Sequence, residues 1–345
     1  MKFTIFLTRE CNLRCKYCYE TQFHKEPREK MEYYVADNVI KFIESMTCLD
    51  RNETPIEVIF HGGEPFLNFE IMKYIHMELC KKFTDKKIIY FTTTNATIIN
   101  DEILEFIIHN INNLSISLDG NRDIHDKNRI FPDGSGSYEI VLKNAMKILN
   151  YKEDLRLRIT FTPESVNYIY ESVEFLYSRG FRKIIVVPDF MSNEWKNTHK
   201  NELFNQIEKI IYSAEAMSKL DSNINDYSFL TSKISDCFGG VVDFSIDVNG
   251  DIYPCSITVG KKEFIIGNVN NNGDRLNKES TRAIIEINKS EIPICENCTR
   301  KEYCDTNRCK LINLYINGSK DCPIPIMCAL QDIYVEMVKK MKNNK

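Results

Sequence analysis

Cys11, Cys15 and Cys18 stand in the run Cys11-Asn-Leu-Arg-Cys15-Lys-Tyr-Cys18, with three residues and then two between the thiols. A tight loop with that spacing can present three thiolates to one face of a cubane cluster. Iron–sulfur cubanes usually take four cysteines. Three leave one iron open, and an open iron can bind a substrate or cofactor. The competing reading is zinc, which needs a fourth ligand; His24 is the nearby candidate, at an unusual spacing. A second chemical segment is Gly62-Gly63-Glu64-Pro65. Its glycines let backbone approach a ligand closely, and its carboxylate can accept hydrogen bonds from an ammonium group. Taken alone, it is equally an ordinary strand-to-helix turn.

The remaining thiols are concentrated at the other end. Of the 13 cysteines, only Cys48 and Cys80 lie between Cys18 and Cys237. Both fall in helical, partly apolar stretches and are expected to be buried free thiols. Cys237 and Cys255 flank Gly250, and the run Cys295-X2-Cys298-X5-Cys304-X4-Cys309 follows, then Cys322 and Cys328. An odd count in a chain without a secretory signal points to metal rather than disulfides. Two zinc sites are the generic possibility. His61 and His125 have no ligand-like spacing to partners and read as structural.

Something must hold these residues. Strand-like runs at Phe3–Thr8, Glu57–His61, Ile88–Thr93, Asn113–Leu118, Leu155–Phe161 and Lys183–Val187 are rich in Ile, Val, Phe or Thr. Amphipathic helices lie between them, including Asp101–Ile108, Tyr138–Leu149 and Tyr168–Ser178. Asn100 and Ser137 are candidate N-caps, and Gly180 a helix stop. Serial β–α repeats imply parallel strands, in an open sheet or a full or partial barrel. In either case reactive groups gather where strands end. Cys11, Gly62–Pro65, Asn95 and Asp119 follow the first four strands. Residues 191–230 read as a polar helical bridge with Glu202–Met217 its best helix. From Cys237 the chain looks loop-rich, until a final helix near Cys328–Lys342.

The bulk properties exclude several roles. The chain has 345 residues, 43% hydrophobic and 27% charged, with a net charge of −4. No Lys/Arg block supports a nucleic-acid or membrane-surface function. The opening MKFTIFLTRECN lacks a signal-peptide pattern, and no stretch reaches the roughly 18 apolar residues of a membrane span. A cytoplasmic protein is expected.

The segment CNLRCKYCY resembles the signature of the radical S-adenosylmethionine superfamily, and Gly62–Pro65 resembles its GGEP motif. The resemblance implies that the open iron binds the amino and carboxylate groups of S-adenosylmethionine. Tyr17 matches an aromatic position beside the adenine, and Gly62, Gly63 and Glu64, or the backbone there, would grip the methionine amine. Ser117, in Ser115-Ile-Ser117-Leu-Asp119-Gly120, matches a serine offered to the ribose hydroxyls. Asn95 stands in the family's TNG turn, with Ala96 replacing the glycine. His125–Arg129 with a later Gly-Ser-Gly resembles peptide-modifying members. Arg129 would bind a carboxylate of cofactor or substrate, unless it is a solvated loop arginine.

The later cysteines resemble the SPASM domain, which holds two auxiliary 4Fe–4S clusters. By resemblance Cys295, Cys298, Cys304 and Cys328 ligate an outer cluster, and Cys237, Cys255 and Cys309 an inner one. Cys322 either completes the inner cluster or leaves an iron open to a peptide thiolate. One departure is the four residues before Cys309, where three are usual. The implied architecture is α/β: a partial (β/α)6 barrel over 1–190, the bridge over 191–230, and a small, loop-rich SPASM domain with a C-terminal helix over 231–345.

The implied chemistry is reductive cleavage to methionine and a 5′-deoxyadenosyl radical, which removes a substrate hydrogen. Family members with this domain mostly modify peptides or proteins. A maturase of a ribosomally made peptide is therefore expected, with thioether formation one outcome and carbon–carbon crosslinking or epimerisation others. It would be fed by flavodoxin or ferredoxin. Anaerobic sulfatase maturation is the rival, but that pattern has a catalytic Asp where Ser256 follows Cys255. With the first strand starting at residue 3, leader binding is expected on the barrel, the SPASM region or another protein. The non-enzymatic alternatives are an electron carrier and a zinc-stabilised binding module.

Overall fold

The computed structural model describes residues 1–20, 29–49, 54–212 and 236–343. His24 and the bridge from residue 213 to 230, with the end of its expected helix, lie outside these residues. Six strands come first: β1 (Lys2–Thr8), β2 (Ile56–Gly62), β3 (Ile88–Thr94), β4 (Asn113–Ser117), β5 (Arg156–Phe161) and β6 (Lys183–Pro188). Each pairs in parallel with the next. The helices that return the chain are α1 (Tyr33–Leu49), α2 (Phe69–Lys82), α3 (Asp101–Asn110), α4 (Arg122–Asn128), α5 (Tyr138–Leu149) and α6 (Ile169–Ser178), and α7 (Asn197–Tyr212) follows β6. Sequential order with helical crossovers is the winding of a (β/α) barrel. The barrel is partial: β6 ends the sheet and β1 turns its other edge to β7.

Strand alternation sorts the side chains. In β4, Leu114 and Ile116 are buried toward the helices, while Ser115 and Ser117 are half-buried on the lumen side. The same period in β5 buries Leu157 and Ile159 and turns Arg156, Arg158 and Thr160 the other way. Helix ends follow local chemistry. Asn100 Oδ1 accepts from the Ile103 N–H at 2.8 Å and caps α3. Gly180 takes a positive φ of 96° just beyond α6. Ser137, in contrast, makes no cap bond; its hydroxyl donates to the Arg129 carbonyl at 2.8 Å.

The segment after Cys237 is less loop-like than its glycines suggest. It forms β7 (Asp243–Ile246), β8 (Asp251–Tyr253) and β9 (Gly267–Asn268), then α8 (Lys278–Lys289), α9 (Asp305–Arg308), α10 (Lys310–Asn317) and α11 (Pro325–Asn343). Strand β7 joins β1 in parallel, and β8 and β9 extend the same sheet antiparallel. Phe3 of β1, Phe42 of α1 and Phe244 of β7 pack with ring centroids 5.4 to 6.1 Å apart. Such aromatic contacts add to the area they bury. Arg9 and Asp247 add a buried ion pair across the same seam. Cys48 and Cys80 are exposed rather than buried. In α2 the buried stripe runs through Met72, Ile75 and Leu79, and Cys80 falls one position off it. Among the described residues no helix is long and apolar enough to cross a membrane.

Candidate active site

The loop after β1 carries Cys11, Cys15 and Cys18. It is held by backbone bonds from Arg14 N to Ile130 O (2.7 Å), Lys16 N to Asn128 O (3.0 Å) and Cys18 N to Cys15 O (3.1 Å). The Gly62–Glu64 turn packs directly beneath it, with Gly63 N bonded to Thr8 O and Glu64 N to Glu10 O at 2.8 Å. A Cβ on Gly63 would lie 2.3 Å from the Glu10 carbonyl, and Gly62 holds a φ of 134° with its Cβ position 2.2 Å from the Thr8 carbonyl. Only glycine permits that close approach of two loops.

Glu64 is fully buried, and its carboxylate is already used. It accepts from Thr94 Oγ1 at 2.8 Å, Phe66 N at 3.3 Å and Asn95 N at 2.8 Å. Burial pushes its pKa up to about 7. The carboxylate therefore fixes the turn and is not free to take an external ammonium. Asn95 stands between strand and loop: its Nδ2 donates to Asn12 Oδ1 at 2.9 Å and approaches the Cys11 sulfur at 3.8 Å. Ala96 beside it adopts φ 56°. Left-handed backbone costs a non-glycine residue about 1–2 kcal/mol, and glycine's extra chain entropy returns about 0.5–1 kcal/mol of that. Ala96 is fully buried, and losing its methyl costs about 0.8 kcal/mol, so Ala96→Gly should leave stability within about 1 kcal/mol of the parent, read as a nearly unchanged denaturation midpoint.

Across the lumen, Asp119 is fully buried and pairs with Arg129, whose Nε lies 2.9 Å from Asp119 Oδ2. Tyr17 OH donates to the same oxygen, and Thr160 N donates to Oδ1 at 2.9 Å. The Arg129 guanidinium also lies 5.1 Å from the Tyr17 ring centroid and 3.9 Å from the Cys15 sulfur. The carboxylate that Arg129 holds here is thus the protein's own. His125 supports this loop. Its Nδ1 accepts from Asp119 N at 3.3 Å, and its Nε2 lies 3.0 Å from Ser137 Oγ. Burial lowers its pKa to about 4. The unfolded chain therefore binds the proton first, and this group's contribution to stability is lost as pH falls from 6.5 toward 4. The His125 imidazole should show an NMR titration midpoint near 4; a midpoint near the ordinary 6.5 would contradict the buried geometry.

Several lumen groups carried no motif. Arg158 is cross-strand partner of Ser117 and is solvent-accessible, yet it is ringed by Tyr17, Tyr19, Asp119 and Arg129. Among the described residues no carboxylate ion pair to it is formed. His61 has its pKa lowered to about 4 by burial and then by Arg158. Glu20, 3.4 Å from His61 Nδ1, is pushed up to about 7 by burial. The signal in the sequence was the arginine alternation in β5.

The thiols suit cluster chemistry. None of the 13 cysteines is joined in a disulfide. Burial pushes Cys11 up to about 12 and Cys15 up to about 11. Such thiols are protonated at neutral pH, and they give up the proton when iron binds. Leu13 N at 3.4 Å and Asn95 Nδ2 point N–H groups at the Cys11 sulfur, and donors of this kind tune clusters. Among the described residues no three His, Cys, Asp or Glu groups converge on a single ion, whereas a cubane takes each thiolate on a different iron. Cys11, Cys15 and Cys18 are close enough to interact electrostatically. So are Cys328, Cys304, Cys295 and Cys298, and, separately, Cys255 and Cys237. Cys309 shares the neighbourhood of Lys310 with Cys237, while Cys322 is exposed.

Comparison with known proteins agrees with this geometry. The Radical SAM superfamily profile matches residues 5–176, and a profile described as an iron–sulfur cluster-binding domain, SPASM, matches 237–299. A cysteine-type anaerobic sulfatase-maturating enzyme of Clostridium novyi is 26% identical over 85% of this chain and 83% of its own. The structure of native anSMEcpe with bound AdoMet and the Cp18Cys peptide superposes with a TM-score of 0.79 at 18% identity, covering 100% of this chain and 99% of that one. Streptococcus suis SuiB bound to its precursor peptide SuiA gives 0.64 at 17% identity, covering 95% and 75%. The cofactors are S-adenosylmethionine with a 4Fe–4S cluster on the barrel and auxiliary iron–sulfur clusters on the C-terminal domain. The chain belongs to the radical S-adenosylmethionine superfamily and is a radical S-adenosylmethionine enzyme with a C-terminal SPASM domain.

Proposed function

We propose that this enzyme is a peptide maturase that oxidises a ribosomally made peptide, with thioether formation from a cysteine as the reaction. One observation carries the reading. A cavity of about 890 Å³ opens between the first cysteine loop at Lys16 and Tyr17, the loops after β5 and β6 at Thr162 and Trp195, and the C-terminal segment at Asn317 and Ile324. Its lining runs from the loop that carries Cys15 and Cys18 to the C-terminal segment, and it is wide enough for a few residues of extended chain. Solved relatives hold peptides: anSMEcpe the Cp18Cys peptide and SuiB its precursor SuiA.

Cys11, Cys15 and Cys18 would hold the first cluster. The backbone carbonyls of Gly62–Glu64, rather than the Glu64 carboxylate, would accept the methionine ammonium, because the carboxylate is consumed inside the turn. Ser117 faces the lumen where the ribose hydroxyls would lie, and Tyr17 and Asn95 border the same space. When bound, S-adenosylmethionine and the reduced cluster supply a 5′-deoxyadenosyl radical. The chain's part is to orient the peptide carbon toward it and to exclude water. A leader segment on the peptide and a flavodoxin or ferredoxin as electron donor complete the scheme.

Sulfatase maturation is the second reading, favoured by the Clostridium novyi relative. Ser256 opposes it, since a serine cannot replace a carboxylate as general base. Incubating the loaded enzyme with Cys-containing peptides encoded beside its gene separates the two. Loss of two hydrogens and of the free thiol supports thioether formation. Formylglycine on a sulfatase peptide, with the neighbouring peptides unchanged, overturns it.

A further inference from the structure

The C-terminal thiols fall into two neighbourhoods, and one buried cation stands between them. Lys310 opens α10 directly after Cys309 and is 7% exposed. Its Nζ donates to the Asn288 carbonyl at 3.1 Å, in the last turn of α8. Asn288 reaches the other way through Nδ2, 3.4 Å from the Gly239 carbonyl, and its Oδ1 is buried without a hydrogen-bond partner among the described residues. Gly239 follows Cys237 by two residues and packs against the Pro254 carbonyl, beside Cys255. Along the chain from Asn288, α8 ends and Cys295 follows in a short 3-10 turn. Asn288 and Lys310 therefore occupy the junction of the two neighbourhoods. Asp236, Cys237, Cys309 and Cys295 all lie close enough to the ammonium to interact with it electrostatically.

We propose that Lys310 is the positioning cation of the auxiliary electron path: its charge, lodged between the two cluster sites, raises the reduction potential of both. The proposal rests on assigning Cys237, Cys255 and Cys309 to one cluster and Cys295, Cys298, Cys304 and Cys328 to the other. The physical reason is simple. Each reduction adds one negative charge to a cluster, and the attraction of a nearby cation for that charge is stronger in a low-dielectric setting than across water. Net charge and hydrogen bonding around the cluster are the protein's levers on its potential. Lys310 touches no reacting atom, so its effect should appear in potentials before it appears in turnover.

The plain alternative is that Lys310 only ties α10 to α8. Anaerobic potentiometric titration of the full-length, iron-loaded protein, followed by electron paramagnetic resonance, distinguishes them. K310M and the polar K310Q are compared with K310R and the parent. A tenfold or larger fall in the reduction equilibrium constant of both auxiliary clusters is expected in the two neutral variants, about 59 mV for a one-electron couple. K310R should stay near the parent, and the first cluster should not move. Unchanged auxiliary potentials in K310M or K310Q with full iron content overturn the proposal. So does loss of the auxiliary clusters from both neutral variants, which assigns Lys310 a structural role. A parent protein with no auxiliary signals would instead remove the two-cluster assignment itself.

Discussion

Cys15→Ala is expected to remove about four of roughly twelve irons and to drop 5′-deoxyadenosine formation below detection. Cys15 is held in a loop pinned at both ends, Arg14 to Ile130 and Lys16 to Asn128. The thiols that interact with it are its two partners in the loop, Cys18 and Cys11. Two thiolates cannot retain a cubane that already lacks a fourth. The C-terminal thiols sit on turns and helices outside the barrel strands, so their irons should remain. Iron and sulfide analysis with chromatography of the reaction products checks both halves. Full iron content together with normal cleavage in Cys15→Ala would show that the ligand set lies elsewhere.

Asp119→Asn should destabilise the protein by about 3–5 kcal/mol, the usual cost of stranding one member of a buried ion pair. Asp119 is fully buried and Arg129 is 6% exposed, so solvent screens the pair little. The substitution leaves the guanidinium charged with no anion to answer it. It also alters the acceptor of Tyr17 OH and of Thr160 N. Because Arg129 reaches the Cys15 sulfur and His125 bonds the Asp119 amide, the damage should spread to the first cysteine loop. Anaerobic denaturation of the loaded protein measures the loss. A change below about 1 kcal/mol would mean the pair is solvated in solution, as surface pairs are.

The barrel was legible because its strands are runs of β-branched and aromatic residues closed by polar turns. The six expected strands match β1–β6 to within a residue at either end. The first cysteine loop and the glycine turn were legible because their chemistry depends on local spacing. What stayed hidden depends on neighbours distant in sequence. Strands β7–β9 are two to four residues long, too short for any period to show. Ser137 sits where a cap belongs, but its hydroxyl is turned to the Arg129 carbonyl and His125 Nε2 and away from the first N–H groups of α5. Glu64 reads as a ligand group until Thr94 and Asn95, 30 and 31 residues on, are seen to consume it. Arg158 has no motif and becomes conspicuous only when the lumen closes around it.

The most direct test of the radical chemistry is product analysis of anaerobically loaded, dithionite-reduced protein mixed with S-adenosylmethionine. Equal amounts of methionine and 5′-deoxyadenosine are expected, from protein carrying about twelve irons per chain. Protein with that iron content that yields no 5′-deoxyadenosine would contradict it.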